Sequence, residues 1–143
     1  MNKAYIFSRQ DFNKAMEDSH ITCAAELPDH VAVISICEPN DSYHYFEESP
    51  NVLNIDFWDV TEESAKIYQV KPLSIEKASL IYRFIENHIG KDFYIHCKAG
   101  MSRSQAVGRY LEDCYGYKVV TNIRPFPNPH VLKILKDLYN QCN

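Results

Sequence analysis

Short apolar runs alternate along the chain with longer segments whose apolar residues recur at helical spacing. The run Val31–Cys37 is β-branched or small throughout, which is typical of a strand covered on both faces. After Ser74, the residues Ala78, Ile81 and Ile85 follow one another at intervals of three or four, which predicts an amphipathic helix. The same patterns predict strands at 4–7, 31–37, 52–57 and 93–96, and helices at 9–18, 74–90, 102–114 and 128–138.

Strands that alternate with helices are typical of an α/β fold. We therefore expect a mostly parallel central sheet flanked by helices. Ser8 and the pair Asn128-Pro129 precede two of the predicted helices and are favourable first residues for them. A chain of 143 residues without repeats or a linker fits one domain over 1–143, and we expect a monomer.

Composition and charge narrow the range of functions. The chain is 45% hydrophobic and 24% charged, with a formal net charge of −4 and no run of Lys or Arg, so we expect neither a nucleic-acid nor a membrane partner. The N-terminal apolar run is too short for a signal peptide, which predicts a cytoplasmic location. The five cysteines show no close spacing of the kind that binds zinc, and we expect no metal and no cofactor.

The segment His-Cys-Lys-Ala-Gly-Met-Ser-Arg-Ser, residues 96–104, lies between a predicted strand and a predicted helix. A loop in that position presents several backbone N–H groups and a helix N-terminus to one anion. Gly100 allows a bend that other residues resist, and the small residues Ala99 and Ser102 leave room for a ligand. The segment therefore predicts a phosphate-binding loop.

Two side chains of this loop complete a reactive site. Arg103 offers a planar guanidinium that can bind two phosphate oxygens. The same N–H groups that bind the phosphate would stabilise the thiolate form of Cys97, which makes this cysteine the candidate nucleophile.

These residues resemble the signature His-Cys-x5-Arg-Ser/Thr of the protein-tyrosine phosphatase superfamily, and the chain resembles its small dual-specificity branch. The resemblance implies a phosphatase-like fold and hydrolysis through a phosphocysteine intermediate on Cys97. It implies that Ser104 stabilises the departing thiolate, and we expect His96 to order the loop by hydrogen bonding a backbone carbonyl. The residues implied to bind the substrate phosphate are Lys98, Ala99, Gly100, Met101, Ser102 and Arg103.

The family chemistry also needs a general acid on a loop upstream of the cysteine. Asp59 follows a predicted strand and comes directly after Trp58, which resembles the family's Trp-Pro-Asp loop, although no proline separates the two residues here. Asp56 falls inside the predicted strand and is the alternative. We therefore predict that Asp59 supplies the proton.

Other functions fit the same motif. We expect the substrate to be a phosphorylated protein or a small phosphomonoester. In a protein substrate, the enzyme could accept phosphotyrosine alone, or phosphoserine and phosphothreonine as well. Lys98-Ala99-Gly100 also resembles the start of the loop in lipid phosphatases, so a phosphoinositide, an inositol phosphate or an RNA 5′-phosphate is an alternative substrate. A phosphate-binding pseudophosphatase without turnover and a rhodanese-like sulfurtransferase are alternatives of other classes. We expect residues 38–50 and 123–130 to set the pocket depth.

Overall fold

The computed structural model describes all of residues 1–143 and has an α/β architecture. Five strands form one all-parallel sheet in the order β3-β2-β4-β1-β5, with helices on both faces. The expected α/β class with a largely parallel sheet is confirmed. The elements are β1 (Lys3–Ser8), α1 (Arg9–Asp18), a 3-10 turn (Ala24–Glu26), β2 (Val31–Cys37), β3 (Val52–Asp56), α2 (Glu62–Tyr68), α3 (Ile75–His88), β4 (Asp92–Cys97), α4 (Arg103–Tyr115), β5 (Lys118–Val120) and α5 (Pro129–Cys142).

Three helices begin where the sequence predicts, because a polar side chain satisfies their first free N–H groups. The side chains of Ser8 and Ser74 each accept a hydrogen bond from the backbone N–H three residues later. Asn128 accepts from the N–H groups of both His130 and Val131, and Pro129 starts the helix. These caps fix the starts of α1, α3 and α5.

Two short elements were missed by the sequence patterns. Helix α2 has seven residues and buries only Ala65, so it lacks a repeating apolar stripe. Strand β5 has three residues and completes the edge of the sheet beside β1. Helix α5 was predicted too short: it continues to Cys142, four residues beyond the predicted end at Leu138.

The two faces of the sheet pack against different layers. Successive side chains of β4 alternate between them, so Ile95 and Cys97 face the larger core, which includes α3, α4 and α5. The opposite face packs on α1, whose Phe12 and Met16 belong to a smaller core. No helix of the structure has both the length and the apolar character needed to cross a membrane.

All five strands are parallel, so their carboxyl ends lie at one edge of the sheet, where ligands bind in open α/β folds. The segments that follow β1, β2, β3 and β4 therefore meet at this edge. They carry Arg9, Glu38, Asp59 and the predicted phosphate loop 98–102. This edge is where the candidate site is built.

Candidate active site

The predicted phosphate loop connects the end of β4 to the start of α4. Gly100, at its centre, has a φ of +70°, a conformation that favours glycine. A Cβ atom at this position would lie 2.7 Å from the carbonyl carbon and oxygen of Phe7 and from Cδ1 of Ile123. Both the backbone angle and the close approach of β1 therefore require glycine.

The Cys97 sulfur is buried inside this loop, with 2% of the residue exposed. Its Sγ accepts a hydrogen bond from the Gly100 N–H at 3.2 Å and lies 3.1 Å from the Ser104 Oγ. Helix α4 begins at Arg103, and no side chain caps its N-terminus. The N-terminus of the helix and the Gly100 N–H thus lie at the same sulfur.

The Arg103 side chain is buried and held in a fixed orientation. Nη1 donates to the backbone oxygen of Phe57 at 2.8 Å, and Nη2 donates to Oε1 of Glu38 at 2.7 Å. The third guanidinium nitrogen, Nε, is buried and has no acceptor within the protein. Buried donors are nearly always paired in folded proteins, so this N–H is a candidate ligand-binding group.

Asp59 lies against the phosphate loop, as predicted. Its Oδ1 accepts hydrogen bonds from Ser102 Oγ and Asn128 Nδ2, both at 2.8 Å. The same Asn128 amide group donates to the Val60 backbone oxygen at 3.1 Å. Asn128, which also caps α5, thus connects the start of this helix to the segment that carries Asp59.

Asp56 is engaged elsewhere. Its Oδ1 lies 2.8 Å from Nε2 of His44, and its Oδ2 accepts from the Ser42 hydroxyl. Nδ1 of His44 lies 2.7 Å from the Ser35 hydroxyl. Because a carboxylate only accepts, Nε2 of His44 donates to Asp56. The network ties the loop after β2 to β2 and β3, and Asp56 makes no hydrogen bond to the phosphate loop.

This network includes a group of potential metal ligands that the sequence spacing did not indicate. The ligand atoms of Cys37, His44 and Asp56 lie within 4.8 Å of one another. Such a donor set suits zinc. However, both ring nitrogens of His44 and both carboxylate oxygens of Asp56 already have hydrogen-bond partners in the protein, and these bonds account for the arrangement.

The hydrogen bond predicted from His96 to a backbone carbonyl does not form with ordinary geometry, because neither ring nitrogen has a partner within the usual distance and angle. The ring points to the face of the sheet opposite Cys97 and stacks on Phe12, with ring centroids 4.5 Å apart. Burial lowers the pKa of His96 to about 3, which keeps the ring neutral. The backbone of Cys97 raises the pKa of the ring, but the opposite effect of burial is larger.

Other residues that support the loop carry no signal in the sequence. The Gln105 amide donates to the Gly100 backbone oxygen and to the Thr121 hydroxyl, both at 3.0 Å. Glu38, which holds Arg103, lies in the segment 38–50 that we expect to set the pocket depth, but no local pattern identifies it as the partner of the arginine. Long-range contacts bring both to the site, and these contacts have no local pattern.

The exposed residues of the loop are Lys98, Ala99 and Met101. The Lys98 backbone oxygen accepts from the Arg9 N–H at 3.2 Å, and the Met101 backbone oxygen accepts from the Phe126 N–H at 2.8 Å. The site thus combines a buried thiol, a buried guanidinium whose Nε–H has no acceptor, and a carboxylate at the loop.

In comparisons with family models, curated proteins and solved structures, the chain has no match.

Proposed function

We propose that this protein is a cysteine-dependent phosphomonoester hydrolase that removes phosphate from phosphotyrosine. The proposal rests above all on the buried Nε–H of Arg103, which has no acceptor in the protein and belongs to the same loop as Cys97. A phosphate oxygen would satisfy this donor. The uncapped N-terminus of α4 supports the same ligand, because it offers N–H groups and positive partial charge to an anion.

In the first step, the Cys97 thiolate attacks phosphorus as the bond to the ester oxygen breaks. The loop N–H groups and Arg103 stabilise the charge on the three other phosphate oxygens. Asp59, protonated at the start, gives its proton to the departing oxygen, so the alcohol or phenol leaves neutral. The products of this step are the free alcohol and a phosphocysteine.

In the second step, water attacks the phosphocysteine. The Asp59 carboxylate accepts a proton from the water as the new oxygen–phosphorus bond forms and the sulfur–phosphorus bond breaks. The electron pair of the broken bond returns to Cys97 as a thiolate, which the Ser104 hydroxyl stabilises from 3.1 Å. Inorganic phosphate leaves, and Asp59 is again protonated.

Fixed groups supply most of the catalysis in this scheme. Glu38 and the Phe57 carbonyl hold Arg103 in one orientation before the substrate arrives. A preorganised donor does not have to reorient during the reaction, and removing one such donor commonly costs about 100- to 1000-fold in kcat.

The first test is turnover of p-nitrophenyl phosphate in the presence of a metal chelator. We expect the wild-type protein to release phosphate and the Cys97→Ser variant to lose the activity, because a hydroxyl at this position is not ionised. A rapid quench of the wild-type reaction should trap one phosphate per chain on Cys97.

Two results would contradict the proposal. One is a folded Cys97→Ser protein that keeps full turnover, which would require another nucleophile. The other is a wild-type protein that binds vanadate but hydrolyses neither p-nitrophenyl phosphate nor phosphotyrosine. That outcome would leave a phosphate-binding protein without turnover.

A further inference from the structure

Exposed apolar side chains lie beside the phosphate loop. Met101, in the loop itself, is 41% exposed, and Phe126, whose N–H donates to the Met101 backbone oxygen, is 55% exposed. Tyr43, which is 49% exposed, lies under the guanidinium of Arg9, and the N–H of Arg9 donates to the loop at Lys98. The loop is therefore bordered by apolar and aromatic side chains at two points, Lys98 and Met101.

The segment that carries Phe126 is restrained by backbone hydrogen bonds and by prolines. Besides the bond from Phe126 to Met101, the Asn128 N–H donates to the Ser102 backbone oxygen at 3.1 Å. Prolines at 125, 127 and 129 restrict the backbone between and beyond these two bonds. Phe126 is thus presented to solvent by an ordered segment, and a ligand that packs on it would lose little conformational entropy of the protein.

A groove of about 480 Å³ connects this segment to the candidate general acid. Asp59 and Ser102 line one part of it, and Pro125 and Phe126 line another. A peptide whose phosphate occupied the loop would lie next to this groove, because Ser102 belongs to both. Its neighbouring residues would then lie on the surface that Phe126 and Met101 form.

The charges around the loop are not balanced. Two of its nearby carboxylates are paired with cations, Glu38 with Arg103 and Asp41 with Arg9. The third, Asp59, accepts hydrogen bonds from the neutral side chains of Ser102 and Asn128. Two exposed cations, Lys98 and Arg124, form no salt bridge.

Arg124 belongs to the aromatic surface. Its Cζ lies 5.3 Å from the centroid of the Phe126 ring, a cation–π arrangement that leaves the guanidinium exposed. Glu62, whose Oε1 lies 4.0 Å from Nδ1 of His130, and Glu63 border a neighbouring groove between α2 and α5. The exposed cations without a salt-bridge partner at the loop are therefore Lys98, at its start, and Arg124, near Met101.

We propose that Lys98, Met101, Arg124 and Phe126 form a docking surface for an acidic peptide segment next to the phosphotyrosine of the substrate. This inference rests on the proposed function. The aromatic and apolar side chains pack on the peptide, and the two free cations attract its carboxylates. A phosphoinositide fits less well, because the loop offers Met101 and Ser102 where a second cation would be needed for a further phosphate group.

The test compares two phosphotyrosine peptides of equal length. One has Asp and Glu on both sides of the phosphotyrosine, and the other has Asn and Gln at the same positions. We expect the ratio of their kcat/KM values to favour the acidic peptide about fivefold at low salt, mainly through KM, and to decrease as salt is added. In Arg124→Gln the ratio should fall to about twofold, and in Phe126→Ala the kcat/KM of both peptides should fall.

The control is Arg83→Gln, which removes the same charge from the exposed face of α3 and should keep the wild-type ratio. Equal kcat/KM values for the two peptides, or an unchanged ratio in Arg124→Gln, would overturn the docking surface. So would faster turnover of a short-chain phosphoinositide than of the acidic peptide.

Turnover of p-nitrophenyl phosphate in the same preparation separates the two proposals. If p-nitrophenyl phosphate is hydrolysed and the two peptides have equal kcat/KM values, only the docking surface is wrong. If nothing is hydrolysed, the proposed function fails, and the docking surface is tested by binding instead. Fluorescence anisotropy then measures the binding of both labelled peptides to Cys97→Ser and to the double variant Cys97→Ser/Arg124→Gln. Tighter binding of the acidic peptide to Cys97→Ser that is lost in the double variant would support the docking surface, and equal binding of the two peptides to Cys97→Ser would overturn it.

Discussion

Asp59 and Ser102 are 43 positions apart in the chain, and their side chains are joined by a hydrogen bond of 2.8 Å. Ser102 is the residue that precedes α4, where a serine usually caps the helix with its hydroxyl. Here the hydroxyl donates to Asp59 instead, and the N-terminus of the helix is left without a side-chain cap. One bond therefore both holds the candidate acid at the loop and leaves the helix terminus free for an anion.

Replacing Asp59 by asparagine should remove the proton donor while keeping an acceptor for Ser102. We expect kcat for phenyl phosphate, whose leaving group is poor, to fall about 100- to 1000-fold, with a smaller decrease for p-nitrophenyl phosphate. Asp56→Asn is the matched control, because Asp56 bonds His44 and Ser42 and makes no hydrogen bond to the loop. A larger loss in Asp56→Asn than in Asp59→Asn would reverse the assignment.

Glu38 should affect catalysis because it holds the Arg103 side chain in place. Its carboxylate accepts from Nη2 at 2.7 Å, and both side chains are largely buried. In Glu38→Ala the guanidinium loses this partner and its fixed orientation, and we expect kcat/KM to fall about 10- to 100-fold, with a parallel loss of vanadate affinity. Glu38→Gln keeps a hydrogen-bond acceptor and should lose less. Vanadate inhibition measured on both variants is the decisive observation, and an unchanged inhibition constant in Glu38→Ala would show that Arg103 does not depend on Glu38.

Gly100→Ala tests the geometry of the loop. The new Cβ would meet the Phe7 backbone at 2.7 Å, and this contact cannot relax without moving β1 or the loop. We expect vanadate binding and turnover to be lost and the melting temperature to fall. Gly116→Ala is the matched control: its φ of +72° is equally unfavourable for alanine, but nothing lies within 4 Å of the new atom. It should cost about 1 kcal/mol of stability and leave turnover intact.

Should Gly100→Ala and Gly116→Ala behave alike in both assays, the contact with Phe7 would be irrelevant. A loss of turnover in Gly116→Ala would also show that the contact with Phe7 is not the cause. The pair therefore separates the effect of the backbone angle from the effect of the close approach.

The burial of His96 predicts that the free energy of unfolding of the protein depends on pH. Burial lowers the folded-state pKa of His96 to about 3, whereas the unfolded chain has the ordinary value of 6.5. Between these two values the unfolded state binds more protons, so the free energy of unfolding should decrease as the pH falls from 6.5, by up to about 1.4 kcal/mol per pH unit. Above pH 6.5 the ring is neutral in both the folded and the unfolded state, so its contribution to the free energy of unfolding no longer changes with pH.

The His96→Phe variant should lose this part of the slope, because phenylalanine can keep the stacking on Phe12 without a titrating group. Urea unfolding of both proteins at several pH values between about 4 and 8 measures the difference. His20→Asn, at an exposed position with a positive φ that asparagine tolerates, is the control and should keep the wild-type slope. Parallel slopes for wild type and His96→Phe would contradict the prediction.

The local features of the chain were predictable because they depend on neighbouring residues. The apolar run Val31–Cys37 forms a buried strand, and Ser8, Ser74 and Asn128 cap their helices. The segment that contains Cys97 becomes the loop between β4 and α4. Each of these depends on side-chain periodicity, capping or turn chemistry over a few residues. The short elements α2 and β5 escaped prediction because they bury too little to show a periodic pattern.

The sequence by itself determined the α/β class and the position of the segment that carries Cys97 and Arg103, between a strand and a helix. Only the tertiary structure decided which carboxylate reaches the loop, that Glu38 and the Phe57 carbonyl hold Arg103, and that Asn128 and Gln105 bind residues far from them in the chain. It also decided that His96 turns away from the loop to stack on Phe12. The physical reason is that parallel strands bring the ends of distant segments to one edge of the sheet, and no pattern within a segment records which partners it will meet there.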